Sequence, residues 1–155
     1  FAFGAPADIL SNRRIARIAE EKARELGAPV YTQLDIRVEP KIEVEYTDEQ
    51  CGNPPPTLRI ARGAIRWAER RGFRELQVIA AKPHLWRCLR DLKYAIREIK
   101  AQIEVCVCRE IERFPEDGWF CPNSTQERTH SRRAWDRRER ILIHMPFFLY
   151  KLITS

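Results

Sequence analysis

Residues 75–99 read ELQVIAAKPHLWRCLRDLKYAIREI, and a change of period inside this stretch decides the fold. Leu76, Gln77, Val78, Ile79, Ala80 and Ala81 form a short apolar run with β-branched residues, the composition of a strand covered on both faces. Lys82-Pro83 breaks the run. From Leu85 the apolar residues recur at Leu85, Cys88, Leu89, Leu92, Ala95, Ile96 and Ile99, the three-and-four spacing of one helix face. Strand, tight turn and helix make half of a βαβ unit. Open α/β sheets collect ligands at the carboxyl ends of their strands, where helix N-termini offer free N–H groups. His84 and Arg87 fall there, one turn apart in the opening turn of the helix.

Outward from this centre the pattern repeats. Residues 57–71 predict a helix with a stripe of Leu58, Ala61, Ala64, Ile65 and Ala68, opened by Thr57 and stopped by Gly72. Residues 101–111 predict a strand alternating at Ile103, Val105 and Val107. Toward the other end, residues 1–4 read as the tail of a strand, so a leader or anchor upstream of Phe1 is expected. The turn Gly4-Ala5-Pro6 follows, then a helix over 7–26 with Asp8 or Ser11 as cap and Gly27 as stop. Residues 29–36 predict a second strand. Ile42, Val44 and Tyr46 alternate in a half-exposed edge piece that Pro40 interrupts. Residues 47–56 predict a loop stiffened by Pro54-Pro55-Pro56. After a loop at 114–123, residues 124–153 predict a helix, charged at first and apolar past Arg140, broken at Pro146. Strands alternating with helices imply one α/β domain over 1–155: a three-layer, doubly wound, mostly parallel sheet of about four to five strands, Rossmann-like.

Composition narrows the class without naming a partner. A 44% hydrophobic share excludes general disorder. The net charge of +6 admits an anionic partner: nucleic acid, phospholipid headgroups or a phosphorylated metabolite. Much of that charge is arginine interspersed with glutamate, which also describes a plain solvated surface. Five cysteines do not close a disulfide framework, and buried thiols in a reducing, cytoplasmic or membrane-peripheral setting fit better. Cys106, Cys108, Cys121 and His130 offer zinc-type ligands, but without a C-x-x-C or H-x3-H pair the spacing carries little weight. No stretch reaches the roughly 18 apolar residues of a spanning helix.

Four features together resemble the YdcF/SanA/ElyC-type domain family, a mostly uncharacterised bacterial group linked to the cell envelope. The turn Gly4-Ala5-Pro6 is similar to the family's glycine-rich opening turn. Thr57 resembles the threonine of its T-x-E-N segment. The run from Ala81 to Cys88 (AKPHLWRC) resembles its strand-end S-x-x-H-x-x-R-A segment, and Arg138-Glu139 its closing R-E element. The chain departs where Arg59 and Ile60 replace the family Glu and Asn, where one glycine stands for several, and where Ala81 replaces a small hydroxyl residue. The resemblance implies a small anionic or nucleotide-like ligand, S-adenosylmethionine included, held by Gly4, Thr57, His84 and Arg87. Arg87 would clamp two oxygens of a phosphate or carboxylate. His84, the candidate catalytic group, would donate a hydrogen bond or shuttle a proton near neutrality. Thr32 and Gln33 would line the same crevice. Without the family Glu, binding is expected rather than vigorous catalysis.

Plainer readings stand beside these. His84 and Arg87 also fit a cap and a surface charge, Thr57 an N-cap, and Gly4 a tight turn. Trp86 could stack on a flat ligand, although a core or interface aromatic is the simpler assignment. Asp35, Glu39 and Lys41 faintly resemble a nuclease D…E-x-K set, which Pro40 disfavours. Residues 141–153 predict a helix buried across a sheet edge, or else an interfacial anchor or self-association patch beside Arg132, Arg133, Arg137, Arg138 and Arg140. Two rivals to a ligand-binding domain therefore remain: a basic nucleic-acid-binding module and a non-catalytic assembly subunit.

Overall fold

The computed structural model describes residues 1–49 and 55–154. Helix α1 spans Leu10–Leu26, and strand β1, Val30–Thr32, lies parallel to β2, Val44–Tyr46. Helix α2, Thr57–Arg71, leads to β3, Glu75–Val78; helix α3, Lys82–Ile99, leads to β4, Glu104–Val107, which lies parallel to β3. Short 3-10 turns at Arg109–Arg113, Glu116–Trp119 and Glu127–Thr129 precede α4, Arg132–His144, and α5, Phe147–Thr154. The chain is mixed α/β with parallel pairing.

Local chemistry explains the helix ends. Gly27 and Gly72 end α1 and α2 in the left-handed region, with φ of 58° and 71°. Pro83 sits in the first turn of α3, where a missing N–H costs no intrahelical bond, so it opens the helix rather than merely breaking the strand. Val44–Tyr46 is the half-exposed edge piece that alternation predicts.

Several expectations are corrected. The four described strands form two two-stranded sheets rather than one of four to five. The strand expected at 29–36 keeps only three residues, because it pairs only as far as β2 runs beside it. Helix α1 starts at Leu10, not at 7, and neither Asp8 nor Ser11 caps it; Ile9 holds the cap position and Ser11 Oγ donates to Phe3 O at 2.8 Å. Residues 1–4 form no strand, although the Phe1 nitrogen donates to Ile79 O at 2.8 Å. Helix α4 begins only at Arg132, where Ser131 Oγ accepts from Ala134 N at 3.3 Å. The expected stiff loop at Pro54-Pro55-Pro56 lies partly outside the described residues.

Two larger clusters form the core. Phe3, Ile15, Ile18, Ile36, Ile111, Trp119 and Trp135 pack around α1. Ala61, Ile65, Trp67, Val78, Leu92, Ala95 and Ile103 pack α2 and α3 onto β3 and β4. A third cluster of Leu58, Leu142 and Tyr150 seats α4 and α5 on helices rather than across a sheet edge, correcting that expectation. Only one face of the last segment is covered: Ile141, Phe148, Leu152 and Ile153 are exposed, Leu152 to 76%. Among the described residues no helix is long and apolar enough to cross a membrane.

Candidate functional site

A cavity of about 210 Å³ opens beyond the carboxyl ends of β1 and β3, and Gly4, Thr57, His84 and Arg87 all line it. Two helices begin at its wall. α2 contributes Thr57 and Ile60, preceded by its cap residue Pro56, and α3 contributes His84 and Arg87. Neither helix has a side-chain cap or an acidic residue in its first turn, so neither N-terminal partial positive charge is neutralised locally.

Thr57 is not the cap, since Pro56 holds that position; its Oγ1 lies 3.3 Å from His84 Nε2 instead. The His84 ring packs tilted against Phe3, at 6.2 Å between centroids, and edge-on to Trp135, at 5.4 Å. Its Nδ1 is buried without a hydrogen-bond partner among the described residues. Burial first, and then the positive charges of Arg87, the Phe1 amine, Arg128 and Arg138, hold its pKa well below the ordinary histidine value. The imidazole is therefore neutral at neutral pH. A titration near neutrality, expected from the sequence, does not belong to this environment.

Arg87 is 5% exposed, with its guanidinium carbon 5.2 Å from the Trp135 ring centroid and Nη2 3.1 Å from Glu139 Oε1. The Arg87–Glu139 contact lacks hydrogen-bond geometry at Oε1, and Arg87 Nε is buried without a partner among the described residues. Glu139 has its carboxyl pKa raised, chiefly by burial, against the pull of Arg87 and Arg138. Trp135 Nε1 donates to Pro83 O at 3.0 Å and so ties α4 to the start of α3.

Two further arginines, Arg128 and Arg138, line the cavity. Among the described residues neither makes an ion pair, although Arg128 Nη2 donates to Gln126 Oε1. Burial and the repulsion of Arg138 and Arg87 bring the Arg128 pKa down to about 10, and burial also lowers that of Arg138. Both remain charged at neutral pH. Three guanidiniums thus line the cavity with one carboxylate, Asp35, whose pKa burial raises against the pull of Arg37.

A buried polar web fixes the floor. Asn12 Oδ1 accepts from Phe3 N at 2.9 Å, and its Nδ2 donates to Gly4 O and Pro6 O, each at 3.1 Å. Ser124 Oγ accepts from Ala5 N at 3.2 Å and Thr129 Oγ1 at 2.8 Å. Gly4 has φ of +91°, and a Cβ there would stand 2.6 Å from Ser124 Oγ and 2.8 Å from Thr129 Oγ1. Its glycine is thus required by the turn and by these hydroxyls, while its backbone faces the cavity. Across the cavity Tyr150 is held by Asp91, which accepts from the Tyr150 hydroxyl and, through Oδ1, from Arg90 at 2.9 Å.

Other sequence candidates divide. Gln33 lines this cavity, while Thr32 lines a separate one between β1 and β3. Trp86 points away: it is 48% exposed beside Arg90, outside the cavity. Glu39 pairs with Arg24 and Lys41 is exposed, so with Asp35 they make no nuclease set. Among the described residues the free thiols Cys88, Cys106, Cys108 and Cys121 join no group of three metal-binding side chains. The basic run of α4 is split, with Arg132 paired to Glu116 and Arg138 turned into the cavity. Sequence reading missed Asn12, Ser124, Arg128 and Trp135. The polar Ser11-Asn12 pair inside an apolar helix pattern was the available signal for Asn12. No family model, no curated protein and no solved structure matches the chain.

Proposed function

We propose that this chain is an anion-binding α/β domain of the YdcF/SanA/ElyC type, Rossmann-like in layout. Its ligand is a small phosphate- or carboxylate-bearing molecule held among Gly4, Thr57, His84, Arg87, Arg128 and Arg138. The observation that carries this reading is that Arg128 and Arg138 line, beside Arg87, a cavity where two helices begin and have no carboxylate ion-pair partner among the described residues. Guanidiniums that repel one another in a partly buried space are stabilised by a di-anion, which bidentate hydrogen bonds then orient. The resemblance adds support, because all four of its elements supply residues at or beside one cavity.

The cavity, at about 210 Å³, is smaller than the ~300 Å³ at which whole drug-sized ligands begin to be enclosed. It suits a phosphate group and its attachment, with a base or sugar extending outward. S-adenosylmethionine, net positive through its sulfonium and amine, suits three arginines poorly. Binding is favoured over turnover, because Ile60 lines the cavity where the family has Asn and Arg59 faces Asp48 at the surface.

A thermal-shift series at low salt with inorganic phosphate, nucleotides, phosphosugars and S-adenosylmethionine tests this. Phosphate compounds should raise Tm by several degrees at about a hundred times Kd, and S-adenosylmethionine should not. Arg87→Ala and Arg128→Ala should abolish the shift. A shift that survives in both variants overturns the assignment.

A second reading rests on the exposed Ile141, Phe148, Leu152 and Ile153 beside Arg137 and Arg140: peripheral membrane contact or self-association through α5.

A further inference from the structure

Each of the two central strands is paired on one side only. On β1, Val30 N donates to Glu43 O at 2.9 Å and Thr32 O accepts from Thr47 N at 2.8 Å. Backbone direction alternates along a strand, so the N–H and C=O of Tyr31 turn away from β2. On the other strand, Arg74 O accepts from Glu104 N at 2.8 Å and Val78 O from Cys108 N at 3.0 Å. Glu75, Gln77 and Ile79 therefore turn their backbone groups away from β4. Among the described residues no strand pairs with either of these edges.

Both free edges border one cavity of about 240 Å³. Ile15, Ala19 and Ala23 of α1 line it, as do Ala64 and Trp67 of α2 and Leu92 of α3. Hydrogen-bonding edges on two sides and apolar helices around them are the surroundings of an interior parallel strand. One end of the slot is already engaged. The Phe1 nitrogen donates to Ile79 O, a gap-facing carbonyl, and Ala2 N donates to Gln33 Oε1 at 2.8 Å.

We infer that this slot is a strand-accepting site, whose occupant is an extended apolar segment running parallel to β1 and β3 in line with residues 1–3 on their amino side. Filled, it joins the two sheets in the order β2, β1, occupant, β3, β4. Burial on both faces selects successive Val, Ile and Leu rather than alternation with polar residues. Proline is excluded where the occupant must donate to an edge.

The test compares the full chain with the same chain carrying Val-Ile-Val-Leu-Val fused directly before Phe1. A second fusion carries prolines at the second and fourth of those positions, and a free acetylated Val-Ile-Val-Leu-Val amide is added to the unextended chain. The apolar fusion should raise Tm by at least about 5 °C and slow exchange of the Tyr31 and Gln77 amides more than about tenfold. The same protection from the free peptide also supports the site. Equal gains from the proline fusion overturn the proposal, as does exchange at Tyr31 and Gln77 that no addition changes. Protection that grows with concentration in the unextended chain alone assigns the slot to a second copy and overturns the stated occupant.

Discussion

Two cavities of similar size, about 210 and 240 Å³, lie at the two ends of residues 1–4, and they are built from opposite materials. The slot between β1 and β3 is walled by alanine, isoleucine and tryptophan from the middles of helices. The cavity beyond the strand ends collects Arg87, Arg128, Arg138, His84 and two helix starts. In parallel strand–helix units the middle of each helix faces the strands with its apolar stripe, while its beginning arrives at the strand's end with unpaired N–H groups. The difference teaches that polarity here is set by position along the βα joint more than by overall composition.

The comparison breaks most easily at the boundary, which Asn12 holds. Asn12→Leu leaves Phe3 N–H, Gly4 O and Pro6 O without their partner, and should cost about 2–4 kcal/mol in urea unfolding. A cost below about 1 kcal/mol would mean that the two cavities do not depend on that anchor.

The charged side should be pH-sensitive. His84 has a folded pKa below its unfolded value, so the unfolded chain binds more protons once pH falls beneath about 6.5. Its contribution is fully present above that pH and is lost as pH falls toward the folded pKa, with a slope of up to about 1.4 kcal/mol per pH unit. Acid titrations of unfolding free energy should show this slope in the parent and lose it in His84→Gln. An unchanged slope would place the sensitivity elsewhere.

The smallest stability effect sharpens the contrast most. Arg128→Gln removes one of three mutually repelling charges and should leave the ligand-free protein within about 0.5 kcal/mol of the parent, or slightly more stable. The phosphate-induced shift should vanish in the same variant. A large loss of stability would instead make Arg128 a structural residue.

Helices were legible from the chain because their signals are local. Gly27 and Gly72 stop α1 and α2 through their own backbone freedom, and the stripe from Leu58 to Ala68 needs no partner to be read. His84 and Arg87 were legible for the same reason, as two residues in the first turn after an apolar run. Strand lengths were not, because β1 ends where its neighbour stops pairing, a fact about residues 44–46 rather than 29–36. Residues 124–131 misled in another way. Their charge pattern suits a helix, but the hydroxyls of Ser124 and Thr129 take backbone and side-chain bonds that hold turns, and these turns bring Arg128 to the cavity. Trp86 and Trp135 cannot be ranked from composition: one faces outward over Arg90, the other packs on Phe3.

Helix α5 is only eight residues long, yet its two sides have different neighbours. Tyr150 turns inward to Asp91 and forms part of the wall around the guanidiniums, while Phe148 and Leu152 look out to solvent. So short a rod cannot yield on one side without shifting the other. A load on the outer side would therefore also displace the wall beside Arg87, Arg128 and Arg138.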